Sequence, residues 1–279
     1  MAFVTRFAPS PTGPLHLGHA YSALLAHDMA RTEGGTFLLR IEDTDTTRCR
    51  PEWEAMIMDD LTWLGLRWPQ PVLRQSDHLA EYDAALNDLA RRGFVFPCSC
   101  SRKDIQAALS APQEGVPGDT AYPGTCRNRP MAQRQTGDAS RLNLQRALAE
   151  LTLPLTYLET GTDAPGPKEI PAAEMLARHG DAVLGRKDSQ TAAYALACVV
   201  DDARQGVTHV VRGADLIEIT GLQVLLQRLL GLPTPIYHHH RLIRDETGKR
   251  LAKRDDARAL SRYRAEGASP DDIRKIIGL

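Results

Sequence analysis

The sequence predicts an α/β fold in which a doubly wound parallel sheet is interrupted by an insertion. Strand-like and helix-like segments alternate up to about residue 97, and the alternation returns at about residue 190. Between these points the chain is rich in proline, glycine and polar residues. Strands that alternate with helices favour parallel pairing, because each helix carries the chain back across the sheet. The 279 residues, 42% of them hydrophobic, are sufficient for one large or two small packed cores.

Six segments make up the first run of alternation. In chain order they are a strand over 2–8, a helix over 19–35, a strand over 36–43, a helix from Pro51 to Gly65, a helix over 78–92 and a strand over 94–96. The second helix has its apolar residues on one face at helical spacing, and a proline at its start. The alternation resumes with a helix over 191–200, a strand over 208–213 and a helix over 214–230. A basic hairpin-like segment and a short helical tail follow residue 236.

Composition and charge narrow the class of protein. A formal net charge of −1 and a pI near 6.8 give no overall positive field, so a nucleic-acid partner has to bind a local basic face. Five cysteines, an odd number, argue against a disulfide framework. The N-terminal segment lacks the apolar run of a signal peptide, and the most apolar stretch, 194–200, is too short to cross a bilayer. We therefore expect a cytoplasmic protein with no membrane partner.

Prolines, glycines and two histidines are concentrated at the first strand-to-helix turn, FAPSPTGPLHLGH over residues 7–19. In a doubly wound sheet such turns lie at the carboxyl ends of strands, where ligands bind. The N–H groups and the dipole of the following helix attract phosphate. His16 and His19 are three residues apart, which places them on one helix face. The turn therefore indicates a phosphate site, although a proline-rich tight turn with two surface histidines is the alternative.

A second basic segment, KRLAKRD over 249–255, follows the strand-like HHHRLIRD. Lysine and arginine on a loop can close over phosphates and neutralise the charge of a leaving pyrophosphate, although many such clusters are only a solvated face. The three consecutive histidines at 238–240 do not predict a metal site, because side chains of an extended strand alternate between two faces. We expect those histidines to be structural.

Three of the five cysteines lie at or beyond the end of the strand over 94–96. Cys98 and Cys100 form C-x-C, and Cys126 ends the segment YPGTC, four residues after Tyr122. Three thiolates and one further donor satisfy the tetrahedral coordination of structural zinc. C-x-C spacing is tighter than is common and tyrosinate is an unusual ligand, so three buried thiols are also compatible with the spacing. Cys198 lies in an apolar helix, where cysteine is usually part of the core.

Five segments together resemble the glutamate-type class I aminoacyl-tRNA synthetases. In chain order they are APSPTGPLHLGH, FLLRIEDTD, YALACVVDD, HVVRGADLIE and KRLAKRD. HLGH stands where the family has its HIGH signature, and RLAKR stands where it has KMSKS. The segments run from residue 4 to about residue 255 in the family's order, so the resemblance covers nearly the whole chain.

The resemblance implies a fold and a domain organisation. The implied fold is α/β, with a Rossmann-type doubly wound parallel sheet split by an α+β insertion and a short helical C-terminal tail. The expected catalytic domain comprises residues 1–97 and 189–236, and a zinc-bearing, acceptor-end-type insertion comprises 98–188. Residues 237–279 would hold the KMSKS-like loop and the helical tail, with no anticodon-binding domain. RGADLIE, the pattern CSC…YPGTC and Cys198 are most similar to the short glutamyl-Q branch of the family.

The resemblance also implies roles for individual residues. The expected glutamate-binding residues are Arg6, Ala8, Ser10, Glu42, Tyr194 and Arg212. The expected ATP-binding residues are His16, Gly18, His19 and Lys253, of which His16, His19 and Lys253 would also be catalytic. The expected ligands of one structural Zn²⁺ per chain are Cys98, Cys100, Tyr122 and Cys126. Ala252 departs from the family's usual serine or threonine in this loop, which removes a hydroxyl that could contact the phosphates.

The expected function, by resemblance, is tRNA-independent activation of L-glutamate with ATP and Mg²⁺, followed by transfer of glutamate to queuosine in the anticodon of tRNA(Asp) by a monomer. The charges agree with this substrate. Glutamate has two carboxylates and one ammonium group, and Arg6, Arg212 and Glu42 supply two cations and one anion. Taken singly, each of the three is equally compatible with a structural ion pair. Two alternatives stay open: a truncated glutamyl-tRNA synthetase that charges a tRNA 3′ end, and a non-catalytic RNA-binding relic.

Overall fold

Ten strands and ten helices make up the described part of the chain. The structure, a computed structural model, describes residues 2–110, 122–161, 164–187, 191–243 and 258–279. The strands are β1 (Val4–Phe7), β2 (Thr36–Ile41), β3 (Leu73–Arg74), β4 (Val95–Cys98), β5 (Ala139–Leu142), β6 (Leu155–Glu159), β7 (Gly166–Ile170), β8 (Val183–Gly185), β9 (His209–Gly213) and β10 (Ile236–His240). The helices are α1 (Leu17–Thr32), α2 (Pro51–Trp63), α3 (Leu79–Arg91), α4 (Arg102–Ser110), α5 (Leu144–Ala149), α6 (Ala172–His179), α7 (Tyr194–Arg204), α8 (Ile217–Leu230), α9 (Leu260–Ala265) and α10 (Pro270–Ile277).

Parallel strands from both ends of the chain form the centre of the fold. Strands β1, β2 and β3 pair in that order, and β9 pairs with β10, all in parallel. The backbone N–H of Thr208 donates to the carbonyl of Val4 at 3.0 Å, so the start of β9 lies beside β1. The carboxyl ends of β1, β9 and β10 therefore meet at one edge. This arrangement, together with the C-terminal helices, confirms the predicted fold class.

Two sheet pairings differ from the segment boundaries that the sequence suggested. Strands β6 and β7 lie within 98–188, yet β6 pairs in parallel with β10 and in antiparallel with β7. Strands β4, β5 and β8 form a separate antiparallel sheet, and β4 begins before residue 98. Short apolar runs such as LTLPLTYLE do not encode their pairing partner, which is why the sequence pattern missed the link to β10. The domain boundaries at 98–188 stay a prediction.

The segment after residue 236 is a strand of the parallel sheet and not part of a hairpin in the residues described. Helix α8 carries the chain back across the sheet before β10 begins, so β10 enters in the same direction as β9. Helix α1 also begins earlier than predicted, at Leu17, because His16 forms its N-terminal cap.

Two large hydrophobic clusters lie between the helices and the parallel strands. One includes buried residues of α3, α7, α8 and β10, such as Leu89, Leu196 and Leu225. The other includes residues of α1, α2 and the helical tail, such as Leu24 and Ile273. The tail is thus packed on the same core as the first turn of the chain. Among the residues described, no helix has the length and apolarity needed to cross a membrane.

A buried carboxyl in α2 makes the stability of this core depend on pH. Asp60 is 1% exposed, and its Oδ2 has no hydrogen-bond partner in the described part of the chain. Burial and the neighbouring Asp59 raise the pKa of Asp60 from 3.8 to about 6. The pKa of Asp60 is higher in the folded protein than in the unfolded chain. The contribution of protonated Asp60 to the free energy of unfolding is therefore complete below about pH 4 and is lost as the pH rises through 6.

We therefore expect Asp60→Asn to raise the free energy of unfolding by roughly 1–3 kcal/mol at pH 8, since one pKa unit corresponds to about 1.4 kcal/mol. At pH 4 the same substitution should have little effect, because the carboxyl is then neutral in the folded protein. Urea unfolding at both pH values measures the difference. An equal change at the two pH values, or a loss of stability at pH 8, would show that Asp60 does not carry a buried charge.

Candidate active site

A cavity of about 530 Å³ lies at the carboxyl ends of β1, β9 and β10. It brings together nine of the ten residues predicted to contact glutamate or ATP. They are Arg6, Ala8, Ser10, His16, Gly18, His19, Glu42, Tyr194 and Arg212. Lys253, the tenth, lies outside the described residues, as does Ala252. Residues far apart in sequence therefore form one concave surface whose wall contains two arginines, two acids (Glu42 and Asp215) and three histidines.

His16 and His19 cap helix α1 and line the cavity at the same time. Nδ1 of His16 accepts the backbone N–H of Gly18 at 3.1 Å, and Nδ1 of His19 accepts the backbone N–H of His16 at 3.2 Å. The two rings stack with centroids 3.8 Å apart. Because each Nδ1 is an acceptor, each neutral ring carries its proton on Nε2. The pair thus has the reciprocal geometry of a capping box, with imidazoles in place of the usual hydroxyl and carboxylate.

Gly18 leaves room for this arrangement. A Cβ atom at Gly18 would lie 3.0 Å from Cε1 of His16, closer than most side-chain contacts. The sequence suggested that this glycine lets a ligand approach the backbone. Within the protein, its lack of a side chain first lets the His16 ring fold over the helix start.

A buried ion cluster forms the floor beside Glu42. The Arg6 Nε donates to Asp202 Oδ1 at 3.0 Å, and the Arg40 Nη1 donates to the same oxygen at 2.7 Å. The Arg40 Nη2 also donates to Glu42 Oε1 at 3.2 Å. Burial raises the pKa of Glu42, although Arg40 and Arg6 oppose the shift. Burial would also raise the pKa of Asp202, but the charges of Arg6 and Arg40 outweigh this effect and lower it.

Sequence reasoning missed Arg40 and Asp202. A signal was present, because LLRIED places an arginine inside a strand that is otherwise apolar, and VVDD ends an apolar helix with two acids. A charged residue in such a position needs an opposite charge nearby. The expectation that Cys198 belongs to the core is incomplete in the same way. Cys198 is buried, but its thiol lies 3.5 Å from Glu42 Oε1, and burial and that carboxylate raise its pKa to about 12.

Arg212 lies on the opposite wall and is held from three directions. Its Nη1 donates to Gln223 Oε1 at 2.7 Å, its Nη2 to Thr220 Oγ1 at 2.8 Å and its Nε to His239 Nε2 at 3.1 Å. The guanidinium also lies over the ring of Tyr237, 5.1 Å from its centroid. An arginine has five N–H groups, so one on each terminal nitrogen remains for a ligand in the cavity. Gln223, Thr220 and His239 are further residues that the sequence did not point to.

The described residues that precede and follow 244–257 are both close to this cavity. Ile243 lines the cavity at one end. At the other end His16 forms a β-bridge with Ala259, and the backbone N–H of Leu260 donates to the carbonyl of Leu15 at 2.8 Å. The described residues on both sides of 244–257 therefore lie at or beside this cavity.

A second cavity of about 300 Å³ adjoins the first. The two share Ser10, Thr12, Glu42 and Tyr194 in their walls. Asp45 lies in the second cavity and accepts hydrogen bonds from Thr47 Oγ1 at 2.6 Å and Arg48 Nε at 2.7 Å. These contacts, with Arg186 at 3.6 Å, lower the pKa of Asp45. Ligands in the two cavities can thus contact these four shared residues from different sides.

Cys98, Cys100, Cys126 and Tyr122 converge between β4 and the segment around residue 126. The sulfur atoms of the three cysteines lie within 4.8 Å of one another, and those of Cys100 and Cys126 are 3.5 Å apart. The Tyr122 Oη lies 3.4 Å from Cys98 Sγ and 3.6 Å from Cys100 Sγ. Zn–S bonds of about 2.3 Å place tetrahedral sulfurs roughly 3.8 Å apart, which these separations approach. The donor set therefore fits a zinc ion.

The acid–base properties of the cluster are uneven. Burial raises the pKa of the Cys100 thiol to about 11. Burial acts in the same direction on Cys126, but hydrogen bonds from Tyr122 and Cys100 outweigh it and lower the pKa of Cys126 to about 7. Arg141 lies over the Tyr122 ring, 4.1 Å from its centroid. Burial and the hydrogen bonds with the three cysteines raise the pKa of Tyr122 above its usual value, so the Cys126 thiol is the donor whose ionisation near neutrality favours binding of a metal ion.

Known proteins resemble the chain along nearly all of its length. Residues 2–279 match the family described as "tRNA synthetases class I (E and Q), catalytic domain". A curated "Glutamyl-Q tRNA(Asp) synthetase" of Rhodobacter capsulatus is 57% identical over 284 residues, covering 99% of this chain and 100% of the relative. One of Symbiobacterium thermophilum with the same description is 42% identical over 278 residues, covering 96% of this chain and 83% of the relative.

A solved structure extends the comparison to three dimensions. A glutamate tRNA ligase of Elizabethkingia meningosepticum, crystallised in complex with its amino acid, superposes with a TM-score of 0.72 and 28% sequence identity. The match covers 92% of this chain and 53% of that protein, so the chain spans about half of its length. The fold and these similarities together show that the chain belongs to the glutamate and glutamine class I tRNA synthetases, which are ATP-dependent ligases.

Proposed function

We propose that the protein activates L-glutamate with ATP in the absence of tRNA and transfers the glutamyl group to queuosine in the anticodon of tRNA(Asp). The observation that carries the first step is the 530 Å³ cavity, whose wall contains Arg6, Arg212 and Glu42. Two cations and one anion match the three charges of glutamate. The second step is supported by the description of the two curated relatives as glutamyl-Q tRNA(Asp) synthetases.

In the first step an oxygen of the glutamate α-carboxylate attacks the α-phosphorus of ATP. A new P–O bond to the carboxylate forms as the bond to the pyrophosphate breaks, which gives glutamyl-adenylate and pyrophosphate. The Nε2–H groups of His16 and His19 and the N-terminus of α1 stabilise the negative charge on the phosphates. Lys253 is the proposed further contact to ATP. Mg²⁺ bound with ATP would neutralise part of the same charge.

Glutamate is held at its two ends by opposite walls of the cavity. Glu42 takes the ammonium group, while Arg212 pairs with the side-chain carboxylate through its two remaining N–H groups. Ala8, Ser10 and Tyr194 complete the proposed contacts. Arg6 is already paired with Asp202, so its proposed effect on glutamate is electrostatic attraction of a carboxylate. No covalent bond to the protein is needed, because positioning and charge stabilisation lower the barrier.

In the second step a hydroxyl oxygen of queuosine attacks the acyl carbon of glutamyl-adenylate. The bond from that carbon to the phosphate oxygen breaks, AMP leaves, and the hydroxyl proton is released with it. The acceptor nucleoside has to reach the adenylate from the side of the cavity. The second cavity, which shares Ser10, Thr12, Glu42 and Tyr194 with the first, offers that approach. A single-stranded loop can extend a base into such a space at low cost, whereas a paired stem cannot.

The activation step predicts glutamate-dependent ATP–pyrophosphate exchange with no tRNA present. Arg212→Ala should reduce kcat/KM for glutamate by at least about 30-fold, because removing one member of a buried charge pair costs roughly 2–5 kcal/mol. Arg228→Ala is the matched control, since Arg228 is exposed on α8 and outside the cavity. Full exchange in Arg212→Ala, or faster exchange with glutamine than with glutamate, would contradict the assignment. Absence of exchange in the wild-type protein would favour a non-catalytic relic.

The transfer step predicts the position of the labelled amino acid. An isolated anticodon stem-loop of tRNA(Asp) that contains queuosine should accept labelled glutamate, and the same loop with guanosine should not. Acid-gel electrophoresis of the two RNAs measures this directly. Labelled glutamate on the terminal adenosine of full-length tRNA would instead identify a truncated glutamyl-tRNA synthetase.

We further propose that Cys98, Cys100, Tyr122 and Cys126 bind one structural Zn²⁺. A bound ion would join β4 to the segment around residue 126 and would stabilise a region with few apolar contacts. Among the residues that the structure describes, this small local core has Phe96, Cys98, Tyr122 and Ala139 as its buried members. The chain's own contribution is the geometry of the four donors. The backbone N–H of Cys126 donates to Tyr122 Oη at 2.9 Å and so helps to hold the phenol oxygen in place.

Elemental analysis of protein purified without chelator should find close to one zinc per chain. Cys100→Ser should lower the zinc content and the melting temperature, because loss of a ligand removes folding free energy. Cys49→Ser provides the control, since Cys49 lies outside the cluster. Wild-type protein that contains no zinc and has all five thiols reactive in the folded state would rule out the site.

A further inference from the structure

Glu159 and His239 form a fully buried pair behind Arg212. His239 Nδ1 lies 2.5 Å from Glu159 Oε2, and the two side chains are 0% and 1% exposed. The other oxygen of Glu159 accepts the backbone N–H groups of His239 at 3.0 Å, Thr160 at 3.1 Å and Gly161 at 2.7 Å. A carboxylate with this many donors is held in one orientation. The pair therefore links β6 to β10 and reaches Arg212 on β9.

The contacts define the tautomer of His239. A carboxylate oxygen can only accept, so Nδ1 of His239 donates its proton to Glu159. The neutral ring then has a lone pair on Nε2, which accepts the N–H of Arg212 Nε at 3.1 Å. Burial and the charge of Arg212 lower the pKa of His239 to about 4, while Glu159 opposes the shift, so the ring is neutral at physiological pH.

The His239 contact differs from the other two contacts of Arg212. Thr220 can rotate its hydroxyl, and the amide of Gln223 can turn to present either a donor or an acceptor. Only His239 has a polarity that is set by a buried charge, because Glu159 determines which ring nitrogen is protonated. That lone pair is one of the three acceptors that fix the plane of the guanidinium, and hence the direction of its two remaining N–H groups.

We infer that Glu159 and His239 are positioning residues, which orient Arg212 toward the side-chain carboxylate of glutamate. Neither residue lines the 530 Å³ cavity, so both act through Arg212 and not on the substrate. This inference rests on the proposed function. It extends the glutamate site to a residue of β6, a strand that the sequence pattern had assigned to the insertion.

Glu159→Gln is the sharpest test, because it keeps the size of the side chain and removes only its charge. The amide oxygen can keep the three backbone contacts, and the amide NH₂ then faces Nδ1 of His239. That forces the proton onto Nε2, where it meets the N–H of Arg212. We expect KM for glutamate in ATP–pyrophosphate exchange to rise at least tenfold and KM for ATP to stay within twofold of the wild-type value.

Two substitutions of His239 separate its two nitrogen atoms. His239→Asn keeps a donor near the position of Nδ1 but has no acceptor near Nε2, so KM for glutamate should rise at least tenfold. His239→Gln places an amide oxygen near the position of Nε2 and should restore KM to within about threefold. His238→Asn is the matched control, because His238 is on the same strand and contacts Thr160 Oγ1 at 3.0 Å. It should leave both KM values unchanged.

The possible outcomes test the positioning role and the proposed function separately. Wild-type KM for glutamate in both Glu159→Gln and His239→Asn would overturn the positioning role. Equal rises in KM for glutamate and ATP in all the His239 variants, His239→Gln included, would show a general packing role and would also overturn it. If Glu159→Gln does not fold, the comparison of the two His239 variants is decisive. A wild-type protein without glutamate-dependent exchange would overturn the proposed function itself.

Discussion

The burial of Arg40 is the constraint on which the rest of the structure depends. Its side chain is 0% exposed and is surrounded by Glu42, Asp201 and Asp202. Two of these acids belong to α7, which lies about 160 residues further along the chain than β2. Removing one partner of a buried ion pair leaves an uncompensated charge, at a cost of roughly 3–5 kcal/mol. The two halves of the parallel sheet are therefore joined by charge as well as by apolar packing.

The same cluster sets the electrical character of the candidate site. Glu42 is the acid of this cluster that lines the cavity, and its carboxylate can contact both Arg40 and a bound ligand. Asp201 is held away from the cavity by Tyr82 at 2.8 Å and Gln75 at 2.8 Å. The acids of this cluster thus differ in role. Asp201 and Asp202 neutralise buried arginines, whereas Glu42 also faces the cavity.

Much of the fold and of the cavity could be predicted from local sequence. The features that allowed this each lie within a short stretch of sequence. They are the proline and glycine residues around His16, the helical periodicity of α2 and the segments HLGH and RGADLIE. The pairing of β6 with β10, and the partners Arg40–Asp202 and Glu159–His239, could not be predicted in this way. Each joins residues that are distant in the chain, and a buried polar residue does not reveal its partner until the fold brings the two together. The histidines at 238–240 illustrate this limit. The sequence predicted that their side chains alternate between two faces of a strand, but it did not predict the contact of His239 with Arg212.

The reciprocal capping by His16 and His19 has a consequence for the entropy of ligand binding. A free histidine side chain has to lose rotational freedom about two bonds when it contacts a ligand, at a cost of about 0.5–1.5 kcal/mol. Here each ring is already restrained by a backbone N–H and by stacking on the other ring at 3.8 Å. The ordering cost is incurred when α1 folds and not when phosphates arrive. The two rings that cap α1 are therefore also rigid hydrogen-bond donors, and they keep this rigidity without a ligand.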